Sequence, residues 1–326
     1  MRFGRNPSRP HEFQPSDVAV TVAVTVHIPH QSGYFKQSLD VFRVMLASLQ
    51  AHTDVPYDLL VFDNDSCAEV RQFLLEQQQA GMIQQLVLSQ ANEGLLSAFN
   101  FMFGAARGKY IAYADCDFYF KPGWLPPHLE ILEAFPNVGM VTGVPIRHRN
   151  HRATAHTLRW AQTAPGVRLE EGLLIDPAWI EEYCEAYDWQ PAKTQNIDRR
   201  VTLNGVSAYI GAYHGQFVIP KAAALKVLPL PTHNPLATEE LDEVLDAAGY
   251  LRLSTTNVYV HHMGNVLAPR WEAEAGRLGV GIQPGLGRRL RPIPNWRYRA
   301  VHNRIVRPIV SQMHDRLFEM LNQKAR

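Results

Sequence analysis

Apolar and polar positions alternate in blocks along this chain, and the blocks change period as they go. Val18 to Ile28 (VAVTVAVTVHI) is an almost unbroken β-branched run, long enough for a central strand, and Pro29 with the turn-prone His30-Gln31-Ser32-Gly33 ends it. From Phe35 to about His52 the apolar positions Phe35, Leu39, Phe42, Leu46 and Leu49 follow the helical period and leave Arg43 and Gln50 outside. Tyr57 to Phe62 predicts a second strand ending at Asp63-Asn64-Asp65-Ser66, where Asp or Ser suits the cap of a helix over roughly 67 to 80. Met82 to Leu88 predicts a third strand, Ser89 to Gly94 a polar loop, and Leu95 to Ala106 a helix with Leu96, Phe99, Phe103 and Ala106 on one face.

The next block, KYIAYADCDFYF from Lys109 to Phe120, is the most informative. A short apolar run, Tyr110 to Tyr113, stops at two carboxylates, Asp115 and Asp117. Two acids at a strand end repel unless a positive charge lies between them, and a divalent cation carrying phosphate oxygens is the usual answer. Strand and helix have by then alternated four times, which predicts parallel strands joined by right-handed crossovers in a doubly wound α/β sheet. Ligands of such sheets bind at the carboxyl ends of the strands. Four polar loops share that edge: 29–34, 63–66, 89–94 and 115–117.

Beyond Asp117, KPGWLPPHLEILEAF predicts a turn and a helix from about Pro126 to Phe135, and Val138 to Val144 another strand. Residues 148–208, opening with His148, Arg149, His151 and Arg152, lack clean periodicity apart from a helix near Pro177 to Tyr187. Tyr209 to Ile219 predicts a Gly-broken strand, Pro220 to Val227 a short helix, Glu239 to Ala248 a helix capped by Thr238, and Thr256 to Val260 a last strand before His261-His262. Residues 1–17 read as an irregular arm, rich in Pro and Arg.

Composition narrows the class. With 326 residues, 46% of them hydrophobic, the chain can bury one large α/β core or two small ones. Cys67, Cys116 and Cys184 are odd in number and fit no zinc spacing, so a reducing cytoplasm is the default expectation. No signal-peptide core and no apolar run of about 18 residues is present, which predicts a cytoplasmic protein, at most peripheral at the inner face of a membrane. Residues 288–326 hold ten Lys/Arg against Asp315 and Glu319, leaving the rest of the chain 22 basic and 29 acidic residues. An acidic body argues against general nucleic-acid binding. The tail's apolar stripe (Ile309, Val310, Met313, Leu317, Met320, Leu321) suits docking on the protein or a twin subunit, with an anionic membrane as the other reading.

The order of these motifs resembles the family 2 glycosyltransferases of GT-A fold, over about Val18 to Gly264. DCD at 115–117 resembles the family's DxD motif, KPGWL its sequel, and VHIP and VFDNDS the first two strand ends. NEGLLSAFN resembles the N-x-G-x-x-x-A-x-N segment, GQFVIPKAAAL the acceptor-side strand and helix, ATEELDEVLDAAGY the "ED" helix, and VYVHHMG the terminal metal-binding histidine. A lone DxD is weak evidence, but with seven further landmarks in order it is specific.

The resemblance implies a GT-A domain over 18–265, with a nucleotide-binding half (18–120), an acceptor half (121–265) and a C-terminal extension (266–326). It implies Mn²⁺ or Mg²⁺ held by Asp115, Asp117 and His261, with His262 the competing histidine. Donor contacts are implied for Pro29, His30, Asp63, Asn92, Gly94 and Asp115, and acceptor-side contacts for Trp124, Tyr213, His214 and Gln216. Glu240, or its neighbour Glu239, is the implied general base of an inverting single displacement from a nucleotide-diphospho-sugar, UDP by family habit, to a glycan, lipid-linked or other hydroxyl acceptor. Asp63 and Trp124 also have structural readings, as a helix cap and a core ring. Two rivals remain: an inactive nucleotide- or glycan-binding relative, and a sugar-1-phosphate nucleotidyltransferase, which would need a Gly-rich basic loop where HIPHQSGYF stands.

Overall fold

The computed structural model describes residues 18–146, 153–186, 197–232 and 239–282. The elements of the first half are β1 (Val20–Val26), α1 (Ser38–His52), β2 (Tyr57–Asn64), α2 (Ala68–Gln79), β3 (Gln85–Ser89), α3 (Leu95–Ala105) and β4 (Tyr110–Asp115). After them come β5 (Phe118–Phe120), α4 (Leu125–Ala134), β6 (Val138–Thr142), α5 (Ala155–Thr163), β7 (Arg168–Gly172), α6 (Pro177–Ala186), β8 (Asp198–Leu203) and β9 (Val206–Ile210). The remainder is β10 (Gln216–Pro220), α7 (Lys221–Val227), α8 (Glu240–Ala247), β11 (Leu251–Ser254), β12 (Val260–His262) and α9 (Pro269–Arg277).

Ten strands form one sheet in the order β3-β2-β1-β4-β10-β6-β11-β9-β8-β7, and β5 and β12 make a separate two-stranded ribbon. The first four are parallel, as the alternating pattern requires, and β11 runs parallel to β6. β10 enters antiparallel between β4 and β6. Strand β1 reads as an unbroken apolar run because both its faces are covered: Val20, Val22, Val24 and Val26 enter one core cluster, Ala23 the other. The first cluster is closed by α1, α2 and Trp271 of α9, the second by α3, α7 and α8. Each large side chain so enclosed contributes about 1.5–3 kcal/mol relative to exposure. The central strands therefore form a stiff base, and the carboxyl end of β4 stands at its middle.

Three expectations shift. The single Gly-broken strand over 209–219 is two strands, β9 and β10, set apart in the sheet by the loop 211–215. The last strand, expected at 256–260, is replaced by β11 and β12 on either side of that segment. Part of the aperiodic region 148–208 is an antiparallel meander, β7-β8-β9, at the sheet's edge. Its burial is partial, so polar residues such as Glu170 and Arg200 pair across strands and blur the two-residue period. The arm 1–17, the cluster 148–152, the cap Thr238 and the tail from 288 lie outside the described residues. No helix among the described residues is long and apolar enough to cross a membrane.

Candidate functional site

Strand β4 ends where the chain turns away from the sheet: the Asp115 amide donates to the Gly215 carbonyl at 2.9 Å, and the ribbon strand β5 begins three residues later. A cleft of about 330 Å³ opens there, lined by Thr25, His27, Asn64, Asn92, Gly94, Leu95, Asp115, Cys116 and Asp117. These residues come from the ends of β1, β2 and β4 and the loop before α3. Parallel pairing places those ends side by side, with Thr25 opposite Asp115 and Val26 opposite Asp63 in register.

The floor is acidic. Asp115 is pushed up to about 7, first by burial and then by the charge of Asp117, against a hydrogen bond from the Tyr113 hydroxyl. Thr25 Oγ1 donates in turn to that hydroxyl at 3.1 Å. Asp117 Oδ2 lies 2.9 Å from His262 Nε2, while its Oδ1 is buried with no hydrogen-bond partner. A buried, unpartnered carboxylate oxygen is costly unless something cationic meets it. The donor set, two carboxylates and an imidazole, suits a hard divalent cation. Among the described residues no three His, Cys, Asp or Glu stand in ready-made metal-binding geometry, so bound phosphate oxygens or water would have to complete a coordination shell.

The histidine preferred from sequence is placed elsewhere. Strand alternation sends His261 and His262 to opposite sides of β12. His261 is enclosed by Trp179 and Trp271, with ring centroids 5.7 and 5.4 Å away, and its Nδ1 lies 3.1 Å from Glu182. Burial lowers its pKa to about 4. It ties α6 to α9, whereas His262 faces Asp117.

The cleft wall is carboxamide and imidazole. His27 Nδ1 donates to the Asn64 carbonyl at 2.6 Å, which leaves Nε2 to accept from Asn92 Nδ2 at 3.3 Å. Asn64 Nδ2 donates to Asn92 Oδ1 at 2.9 Å, and Asn64 Oδ1 accepts the Glu93 amide at 2.7 Å. Gly94, at φ 78°, completes the turn into α3 in the left-handed region that favours glycine. Asn92, Gly94 and Asp115 thus share one cleft. Asp63 does not reach it: fully enclosed, it accepts the Ser66 amide at 3.1 Å and Arg71 Nε at 3.0 Å, and so braces the β2–α2 loop. Pro29 and His30 lie on the β1–α1 loop beyond the lining residues, with His30 edge-on to Phe35 at 5.2 Å.

On the acceptor side, two expected residues turn inward. Trp124 is fully buried and donates to Thr53 Oγ1 at 3.0 Å. Gln216 is equally buried, its Oε1 accepting the Gly143 amide at 2.8 Å and its carboxamide meeting His128. Tyr213 and His214 remain near the floor on the loop 211–215. His214 Nδ1 lies 3.4 Å from Asp242 Oδ2. Burial pulls the His214 pKa down, but the bond to Asp242 and the charges of Asp242 and Asp115 outweigh it and leave it raised. Glu240 opens α8, half-buried, with Glu239 exposed at its cap. His27, Asn64, Asp242 and Arg252 are the functional candidates that sequence reasoning missed. Only the placement of His27 and Asn64 at strand ends could have signalled them.

The profile of glycosyl transferase family 2 matches residues 34–197. An uncharacterised glycosyltransferase of Nostoc sp. (strain PCC 7120) is 29% identical over 124 residues, 38% of this chain and 36% of that protein. Among solved structures, GalNAc-T7 with UDP, GalNAc and Mn²⁺ aligns over 77% of this chain and 44% of its own, at 13% identity and a TM-score of 0.46. A UDP complex of S. aureus TarS aligns over 80% and 64%, at 14% identity and a TM-score of 0.42. The chain spans about a third of the length of the Nostoc protein and under half of GalNAc-T7.

Proposed function

This chain belongs to glycosyl transferase family 2, and on that premise we propose that it moves a sugar from a nucleotide-diphosphate donor, UDP being the first choice, to a hydroxyl of a glycan or lipid-linked acceptor. The observation that carries the reading is the buried, unpartnered Oδ1 of Asp117 beside Asp115 on the floor of the cleft. An acidic floor of this kind repels a diphosphate unless a cation joins them.

Asp115, Asp117 and His262 are the residues that would hold Mn²⁺ or Mg²⁺. The metal, when bound, would stabilise negative charge on the departing diphosphate. His27, Asn64, Asn92 and Gly94 form the wall that receives the nucleoside. Hydrogen bonds among the three side chains hold them in place before any ligand arrives, which lowers the ordering cost of binding. Asp63 supports that wall from behind. Glu240, with Glu239 as its rival, takes the proton from the acceptor hydroxyl, and a single in-line attack inverts the anomeric configuration. The acid that accepts the proton therefore belongs to α8, apart from the carboxylates that serve the leaving group.

Thermal shift with a panel of nucleoside diphosphates, with and without Mn²⁺, tests the reading. A rise in melting temperature is expected for one nucleotide, enlarged by Mn²⁺. Absence of any nucleotide-dependent shift in both conditions would overturn it.

A further inference from the structure

Arg252 of β11 is almost fully buried, and its guanidinium joins three separate segments. Nη2 lies 2.8 Å from Asp242 Oδ1 on α8 and donates to the Ala212 carbonyl at 2.9 Å, while Nη1 donates to the Ala153 carbonyl at 2.6 Å. Asp242 then passes the contact on: its second oxygen, Oδ2, meets His214 Nδ1. Ala212 and His214 belong to the same loop, 211–215, which is pinned further along. The Gly211 amide donates to the Arg252 carbonyl at 2.9 Å, and the Tyr213 amide to Thr142 Oγ1 at 2.8 Å. At the loop's end the Gly215 carbonyl receives the amide of Asp115. From the first turn of α8, the hydrogen bond between Asp242 and His214 leads through the loop to Gly215 and the carboxylate-bearing end of β4, and Arg252 flanks that path with an ion pair to Asp242 and a hydrogen bond to Ala212.

We propose that Asp242, His214 and Arg252 form a positioning bridge that sets the separation between the acid at the head of α8 and the carboxylates at the end of β4. The inference rests on the glycosyltransfer reading. Glu240 and Asp242 share the first turn of one helix, so a carboxylate held on one is a helix end held for the other. Transfer requires the acceptor hydroxyl, oriented by α8, to meet the anomeric carbon of a donor oriented by β4. Displacement by about 1 Å costs roughly a hundredfold in rate. The hydrogen bond of His214 and the charge of Arg252 hold Asp242 from two directions, and a carboxylate fixed by two partners leaves the helix little freedom to roll. Gly215 keeps the loop tight, since a Cβ there would meet the Tyr213 ring at 2.4 Å.

The test uses the full chain, UDP-sugars as donors and UDP release as the readout, with UDP plus Mn²⁺ binding measured separately. His214→Ala and His214→Asn both leave the Asp242–Arg252 pair in place. Asn puts an amide N–H where Nδ1 stands, so it restores the bond to Asp242 without an imidazole. His214→Ala should lower kcat by ~30-fold or more while UDP affinity changes by less than about threefold, and His214→Asn should recover most of that loss. Unchanged kcat in His214→Ala, equal losses in kcat and UDP affinity, or an Asn variant no better than Ala would each overturn the bridge. A wild-type protein that neither binds UDP nor turns over any nucleotide sugar would instead sink the glycosyltransfer reading, so the two failures are distinguishable.

Discussion

His262 Nε2 stands 2.9 Å from Asp117 Oδ2, while His261, its neighbour on the same strand, faces away between two tryptophans. Strand geometry alone separates their roles, because adjacent residues of a β-strand point to opposite sides. His262→Ala should abolish the extra thermal shift that Mn²⁺ adds to UDP, while the shift from UDP alone is retained. His261→Ala should keep that shift but lower stability by about 1–3 kcal/mol, through the two lost ring contacts and the lost bond to Glu182, which keeps Arg270. Scanning fluorimetry of both variants with UDP and MnCl₂ checks this, and the reverse pattern would exchange their roles.

Two adjacent residues at the end of β2 should behave in opposite ways. Asp63 braces its loop from inside through Arg71 and the Ser66 amide, so Asp63→Ala should cost roughly 1–3 kcal/mol, the penalty for a buried amide and a charged hydrogen bond left without their acceptor, while Arg71 keeps Asp65 and the Ser89 carbonyl. Asn64→Ala opens the cleft wall instead and should weaken UDP binding by about tenfold, equivalent to one hydrogen bond, at little cost to the fold. Urea unfolding and UDP titration measure the two effects. Equal losses of stability would contradict the division.

His128 provides a pH signature. Full burial draws its pKa down to about 4, against its bonds to the Trp124 carbonyl and the Gln216 carboxamide. Because the folded value lies below the unfolded one of about 6.5, the stabilisation is complete above pH 6.5 and is lost as pH falls toward 4. It amounts to about 3 kcal/mol at most. Asp115 works in the opposite sense: raised to about 7 when folded, it favours the folded state at acid pH and loses that contribution as pH rises through 7. The comparison that isolates the imidazole is therefore wild type against His128→Gln. The variant should show a shallower fall in stability between pH 6.5 and 4; identical slopes would remove His128 from the account.

For the acid on α8, Glu240→Gln should preserve Mn²⁺-dependent UDP binding and reduce transfer by a factor of about 10² or more, the usual contribution of a general base. Retained turnover would move the role to Glu239 or to another group.

The first half of the fold was legible in the sequence because β1, β2 and β4 are covered on both faces and each helix shows one apolar stripe. Local periodicity there reports burial directly. The second half was less legible. Strands β7 and β8 are half-exposed, and β11 and β12 are only four and three residues long, so their identity depends on which neighbours they meet. Asp115 and Asp117 marked the end of β4 as a candidate in the sequence, and the cleft opens there. Which residues complete it was not legible in the sequence.

By itself the sequence determined the alternating strand and helix order, the line of polar loops at one edge and the carboxylate pair at its centre. These follow from local preference and pattern. Tertiary structure decided that His262 rather than His261 meets Asp117, that Asp63 and Gln216 turn inward, and that Asn64 and His27 form the wall. It also decided that Arg252, 137 residues from Asp115 in sequence, is tied to it through Asp242 and the loop 211–215. Such choices depend on side-chain direction and on partners distant in sequence, and no window along the chain contains both.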